Sequence, residues 1–378
     1  MSLSIDIQEY KATRKPSSDV FVVSNTMGEK RGVRSLVSLM GEHGLDFFYT
    51  SERKKGLIPS DAVVVLKVNS QWDQRGGTNT DLVKSLISLI IEHPDDFVGE
   101  VVIADNGQGQ YGSTRAGGSL SYSKNNAEDL TQSNEKVASS FKQNKVSTYL
   151  WDTITSSRVR EYEEGDYSSG YIINDNPEPN TGIRISYPKF TTKYGAQISF
   201  KNGVWDKENR QYLPEKLVFL NVPVLKSHFI YGVTGCVKHY MGVVSDKLQT
   251  GGAHRSVRTG GMGSMIAGTR PPTLNILDAI YINANCGRGP SCSYDEATQV
   301  KMVIASVDPF ALDTWATREV IMKAASLQGQ SDLTSFDPHS TDAGSFGEWM
   351  RKSLEITTRS GLLFTNNPQR ISVYINRL

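Results

Sequence analysis

Two short passages of the chain carry residue types from which chemistry is built. Val63-Val64-Val65-Leu66-Lys67-Val68-Asn69 and Val222-Pro223-Val224-Leu225-Lys226-Ser227-His228 are both apolar runs that end in a lysine, one intervening residue and a polar side chain. In an extended segment residues i and i+2 share a face, so Lys67 points with Asn69 and Lys226 with His228. Each run therefore delivers an ammonium and a hydrogen-bonding group together. A third apolar run, residues 101–104, ends in Asp105. That carboxylate is a candidate base or metal ligand, and equally a turn former with Asn106 and Gly107 behind it.

Further candidates follow the second run. A lysine beside another cation, or in an apolar pocket, has its pKa lowered and becomes usable as a base or imine-former, which marks Lys226 and Lys238. If Thr234 and Lys238 are four residues apart on one helix they share a face, while His239 is turned about 100 degrees from Lys238, so the last two are expected to diverge. Thr78 and Thr234 follow glycine-containing approaches to expected helices and are candidates to cap them or to frame an anion site. The glycine-rich stretch 251–261 adds His254, Arg255 and Arg258, which suit a carboxylate or phosphate under a loop able to close. The expected catalytic set is Lys226, His228, Lys238 and Asp105. The expected substrate-binding set is Lys67, Asn69, Thr78, Thr234, His254, Arg255 and Arg258, with His239 as a candidate metal ligand. No glycine stretch has the spacing of a nucleotide-binding loop.

The elements that must position these groups are short, β-branched and mostly continuous in their apolar character, as strands buried on both faces are. The clearest are residues 62–67, 101–104, 217–225 and 302–305, with weaker candidates at 19–24, 273–276 and 371–375. Helical periodicity between them, at 81–92 and 309–325, predicts an α/β fold with a mainly parallel sheet and helices on both faces. Asp308-Pro309 has the pattern of an N-cap followed by proline at the first helical position. The core is expected in two parts, 18–106 and 201–378, separated by an insertion at 107–200. Within the insertion 107–123 reads as a Gly/Ser-rich loop, 125–160 as helical and 165–182 as loop, and Asn202-Gly203 marks a β-hairpin. In such sheets ligands bind beyond the carboxyl ends of the strands, where Lys67, Asn69, Asp105, Lys226, His228 and Lys238 are expected to converge.

Composition narrows the function classes. With 41 Lys plus Arg against 40 Asp plus Glu the net charge is +1, so nothing points to nucleic acid or an anionic membrane. No apolar stretch in the 378 residues approaches the roughly 18 needed to span a bilayer. Three scattered cysteines, Cys236, Cys286 and Cys292, read as free thiols, and no iron-sulfur cluster is expected from them. The polar opening of the chain lacks an export pattern, and a cytoplasmic protein is expected.

Leu66-Lys67-Val68-Asn69, Pro223-Val224-Leu225-Lys226-Ser227-His228, Val237-Lys238-His239-Tyr240-Met241-Gly242 and Ala305-Ser306-Val307-Asp308-Pro309-Phe310-Ala311-Leu312-Asp313 together resemble the domain-of-unknown-function family 362, over roughly residues 60–325. The resemblance implies a fold and the position of a site, not a reaction. The chain departs from the family pattern with Val68 where proline is usual and His239 in place of asparagine. It also lacks the ferredoxin-like cysteine clusters of many relatives, so no redox role carries over. The function expected is an enzyme acting on a small anionic metabolite through a Lys/His site. The alternatives are a non-catalytic module that binds an anion or a partner, and a metal-dependent enzyme using His228, His239 and Asp105.

Overall fold

The apolar runs find one another in a single large sheet. The computed structural model describes residues 2–107, 118–250 and 252–378. The chain opens with β1 (Ser18–Ser24), α1 (Lys30–Glu42), β2 (Val63–Val68), α2 (Thr80–Ile91), β3 (Glu100–Asp105), α3 (Asn134–Ser140) and β4 (Val146–Leu150). Five short strands follow: β5 (Gly170–Ile173), β6 (Ser186–Thr191), β7 (Gln197–Ser199), β8 (Gly203–Asp206) and β9 (Gln211–Leu213). The chain then returns to the large sheet with β10 (Leu217–Val222), β11 (Val224–His228) and β12 (Gly232–Thr234). The remaining elements are α4 (Gly252–Arg255), α5 (Gly261–Gly268), β13 (Leu274–Asn283), β14 (Thr298–Ser306), α6 (Pro309–Ala316), α7 (Lys323–Leu327), α8 (Phe346–Arg359) and β15 (Ile371–Arg377).

The large sheet has the order β15-β1-β14-β13-β10-β2-β3-β4, with β11 joined to β13 and β12 to β11. Strands β13, β10, β2, β3 and β4 run parallel. Strand β14 is antiparallel to both its neighbours, and β15 is parallel to β1. Strands β5 to β9 form a separate antiparallel sheet. The chain is thus mixed α/β with a large, mostly parallel sheet. Successive residues of β2 enter two different apolar clusters. Val64, Leu66 and Val68 join Leu36 of α1 and Leu86 of α2, while Val63 and Val65 join Met262 of α5 and Trp315 of α6. This explains why the run is apolar at every position rather than alternating. Helix α2 is started by Asn79, whose side chain accepts from the Asp81 and Leu82 N–H groups, and α6 by Asp308, which accepts from Phe310 and Ala311.

Several expectations need correction. Residues 217–225 are not one strand, because Pro223 has no N–H to offer the ladder: β10 stops before it and β11 restarts along β13. Residues 302–305 lie in β14, which neighbours β13 and runs antiparallel, so only β3, β2 and β10 of the expected four are adjacent and parallel. Segment 125–160 holds one seven-residue helix, and its β-branched and aromatic stretch Val146–Leu150 adds an edge strand to the large sheet. Residues 165–182 include β5. The hairpin is present, but Ser199 pairs with Gly203 across three residues, and it is Gly203 that takes positive φ at +116°. The loop expected at 107–123 falls largely on 108–117, outside the described residues.

The glycine-rich stretch after residue 250 is helical where described, not a loop. Its glycines serve close packing: a Cβ on Gly263 would lie 2.1 Å from the Ser353 carbonyl oxygen of α8. Among the described residues no helix is long and apolar enough to cross a membrane. The Gly263 contact yields a stability test. Gly263→Ala is expected to lower unfolding free energy by about 1–3 kcal/mol through overpacking. Gly41→Ala, inside α1 with only Asp46 near its Cβ position, is expected to be neutral or to stabilise by up to about 1 kcal/mol. Urea denaturation of both variants measures the difference, and equal effects would contradict the packing argument.

Candidate active site at the strand ends

One small cavity, of about 40 Å³, gathers side chains from several chain segments. Lys67 and Asn69 come from the end of β2, Asp105 from the end of β3, Lys226 and His228 from β11, and Thr234 from β12. Lys238 and His239 come from the 3-10 turn Lys238–Gly242, and His254 from α4. The break at Pro223 matters here, because β11 pairs with β12 so that Lys226 stands directly across from Thr234.

The floor of the cavity is an ion pair. Lys67 Nζ lies 2.8 Å from Asp105 Oδ1, with the lysine side chain fully buried and the aspartate nearly so. The other carboxylate oxygen of Asp105 accepts from the Ser70 N–H at 2.7 Å and the Ser70 hydroxyl at 3.0 Å. Burial lowers the pKa of Lys67 and Asp105 opposes the shift. Gly242 is required beside this pair, since a Cβ there would sit 2.4 Å from Asp105 Oδ1 and 2.6 Å from Lys67 Nζ. Asp105 thus holds Lys67 and Ser70.

Two more lysines share the cavity without such a partner. Lys226 is buried, and its Nζ donates to the Gly76 carbonyl at 2.5 Å. Burial lowers its pKa to about 7; Cys292 and Asp105 raise it, while Lys238 and Lys67 lower it further. Lys238 is also buried, has its pKa lowered to about 8 by desolvation, and sits over the Tyr231 ring at 5.0 Å. Among the described residues no carboxylate lies within ion-pair distance of either ammonium.

The histidines can be assigned tautomers from their partners. Asn221 Nδ2 donates to the Cys236 carbonyl and to Asn275 Oδ1, whose own Nδ2 donates to the Ser306 carbonyl. Asn221 Oδ1 is therefore an acceptor, and His239 Nδ1, 2.7 Å away, donates to it. That puts the lone pair of the neutral ring on Nε2, which is buried near the Val68 backbone and makes no hydrogen bond of ordinary geometry among the described residues. In His228 the assignment is reversed: Nδ1 accepts from the Ile230 and Tyr231 N–H groups, so Nε2 carries the proton. Burial first, then Lys238 and Lys226, drives the His228 pKa far below its usual range. His239 is also driven well down, by burial and then by Lys67. Both rings are neutral at neutral pH. His254 Nδ1 lies 2.6 Å from Asp246 Oδ2, an orienting contact that opposes the downward shift from burial. Asn69 Oδ1 and Thr234 Oγ1 are likewise buried without hydrogen-bond partners among the described residues.

Some candidates lie elsewhere. The Thr78 hydroxyl accepts from the Asn69 N–H and donates to the Val222 carbonyl, both at 2.7 Å, tying β2 to β10. Thr234 belongs to a strand and caps no helix. Arg255 and Arg258 are exposed outside the cavity, because the helical winding of 252–259 sends His254 inward and the arginines to the surface. Lys238 and His239 do not diverge as expected: a tight 3-10 turn lets both border the same cavity. Among the described residues no three His, Cys, Asp or Glu side chains are placed to hold one metal ion, so His228, His239 and Asp105 do not form the expected metal set. Cys236, Cys286 and Cys292 are free thiols.

Asp313, ambiguous in the sequence, acts in support of the site, as do Gly235, Asn221 and Asp246, which the sequence does not mark as supporting residues. Asp313 of α6 accepts from the Cys236 and Val237 N–H groups at 2.7 and 2.9 Å and so fixes the start of the turn bearing Lys238 and His239. Gly235 makes room for it, as a Cβ there would lie 2.4 Å from Asp313 Oδ1. Asn221 orients His239, and Asp246, eight residues before His254, orients that ring. None has a local pattern that separates it from a capping or strand residue.

A mostly parallel α/β sheet with a buried Lys/His cavity at its strand ends defines the class of protein. Residues 211–318 match the family model described as Domain of unknown function (DUF362). The match spans Lys226, His228, Thr234, Lys238, His239, His254 and Asp313, whereas Lys67, Asn69 and Asp105 lie before it. Searches of curated proteins and of solved structures found no match.

The tautomers are directly observable. In 15N-labelled protein at neutral pH, long-range 1H–15N spectra are expected to show His239 as the Nδ1–H form and His228 as the Nε2–H form, both neutral. Protonation of either ring near its ordinary pKa of about 6.5 would contradict the assignment.

Proposed function

We propose that the chain is an enzyme acting on a small metabolite that carries a carboxylate or phosphate. The single observation carrying this reading is that two buried lysines, Lys226 and Lys238, share one cavity with no carboxylate within ion-pair distance among the described residues. With its pKa lowered to about 8, Lys238 remains mostly an ammonium at neutral pH and holds the oxyanion. Lys226, lowered to about 7, is about half neutral there and supplies an amine for proton abstraction or imine formation. The Nε2–H of His228 and the Nε2 lone pair of His239 act as a hydrogen-bond donor and acceptor that orient the ligand. With its pKa so far down, His228 does not itself shuttle the proton. A module that only binds needs charged lysines and gains nothing from amines whose pKa burial has lowered, which favours the catalytic reading.

Sulfate, whose charge is constant over the range, is the probe. An anion stabilises both ammonium groups, so binding takes up protons above their pKa values and weakens as pH rises. Affinity is expected to fall at least about tenfold between about pH 6 and about pH 9. Lys226→Met should bind more weakly and lose the proton uptake near neutrality, measured calorimetrically in two buffers of different ionisation heat. Sulfate affinity that is flat across this range, or equal in wild type and variant, would sink the reading.

A further inference from the structure

The small polar cavity does not end at its lysines. A second cavity of about 300 Å³ adjoins it and shares His228, Lys238, His254, Gln71 and Pro290 as a common wall. Its remaining lining is largely apolar, from Trp72, Phe229, Ile230 and Tyr231. Phe229 and Ile230 occupy the turn between β11 and β12, a position that usually takes small polar residues. They are instead 62% and 40% exposed. The two chambers meet through rings: His228 stacks on Phe229 at 5.6 Å and 10°, and Tyr231 faces His228 at 5.0 Å while also underlying the Lys238 ammonium. Charge therefore gathers on one side of this shared lining and apolar surface on the other.

The volumes divide a ligand between them. About 40 Å³ holds a few water-sized groups and so accepts an oxyanion head but not a whole metabolite. We infer that the substrate is an amphiphilic acid, its carboxylate or phosphate head on Lys226 and Lys238 and an apolar ring or branched chain against Trp72, Phe229, Ile230 and Tyr231. This rests on the proposed anion-binding role of the inner cavity. Apolar surface covered by the tail leaves water on both sides, which supplies affinity the head alone lacks. The exposure of Phe229 and Ile230 in the free chain then has a use that a solvated turn would not give it.

Calorimetry at neutral pH with two matched pairs, inorganic phosphate against phenyl phosphate and acetate against phenylacetate, tests this. Within the head group the site prefers, the aryl compound is expected to bind at least about tenfold more tightly than its parent. In Phe229→Ser/Ile230→Ser that ratio should fall below about threefold. Both side chains are exposed, so the substitution leaves the core intact, and Ile230→Ser alone provides a milder version. If the parent anions bind in a Lys226-dependent way but the ring adds nothing, the amphiphile inference fails while the anion site stands. A ring gain that survives both substitutions also overturns it. Binding of none of the four compounds removes both readings together.

Discussion

The site is built on the buried ion pair between Lys67 and Asp105. Removing two charges from water is costly, and their attraction offsets that cost only when the geometry is good and the remaining lone pairs are satisfied. Here the second oxygen of Asp105 is satisfied by Ser70, and Gly242 packs closely against the pair. Strands β2 and β3 are adjacent and parallel, with Lys67 paired to Ala104, so the topology itself brings the lysine beside the carboxylate that follows. Either group alone in this position would be an uncompensated buried charge.

Once that pair is closed, the charge of Lys226 and Lys238 has no comparable offset within the cavity. Desolvation is the largest influence on both, and it favours the neutral amine. The fold accepts this cost in a recess that also leaves Asn69 Oδ1, Thr234 Oγ1 and His239 Nε2 without hydrogen bonds of ordinary geometry among the described residues. Buried polar groups are generally hydrogen-bonded, and these three depart from that rule within one cavity. The carboxylates that lie close by are occupied in support. Asp313 grips the backbone ahead of Lys238, and Asp246 orients His254.

Much of this arrangement was legible in the sequence because strand periodicity and parallel pairing are strong constraints. Lys67 with Asn69 and Lys226 with His228 share faces by the period of two, and residues after parallel strands meet at one edge. What was illegible has identifiable causes. Pro223 divides what reads as one apolar run, and only the paired structure shows that the second half keeps β13 and exchanges β2 for β12. The glycines after residue 250 signal flexibility locally but serve helix packing against α8, which turns His254 inward and Arg255 and Arg258 outward. Tertiary pairing likewise draws Val146–Leu150 into the sheet from a segment whose polar composition reads as helix. Asp105 was found for its place, but its commitment to Lys67 depends on a register no single strand reveals.

The central claim is that Lys226 is an amine near neutrality held ready beside a charged Lys238. Its most direct test is an NMR titration of the full chain with 13C/15N-labelled lysine, assigned by comparison with Lys226→Met. The account predicts a Lys226 midpoint near 7 in the free protein, moving upward when sulfate binds. A midpoint close to the ordinary lysine value of about 10.4, unmoved by sulfate, would contradict it.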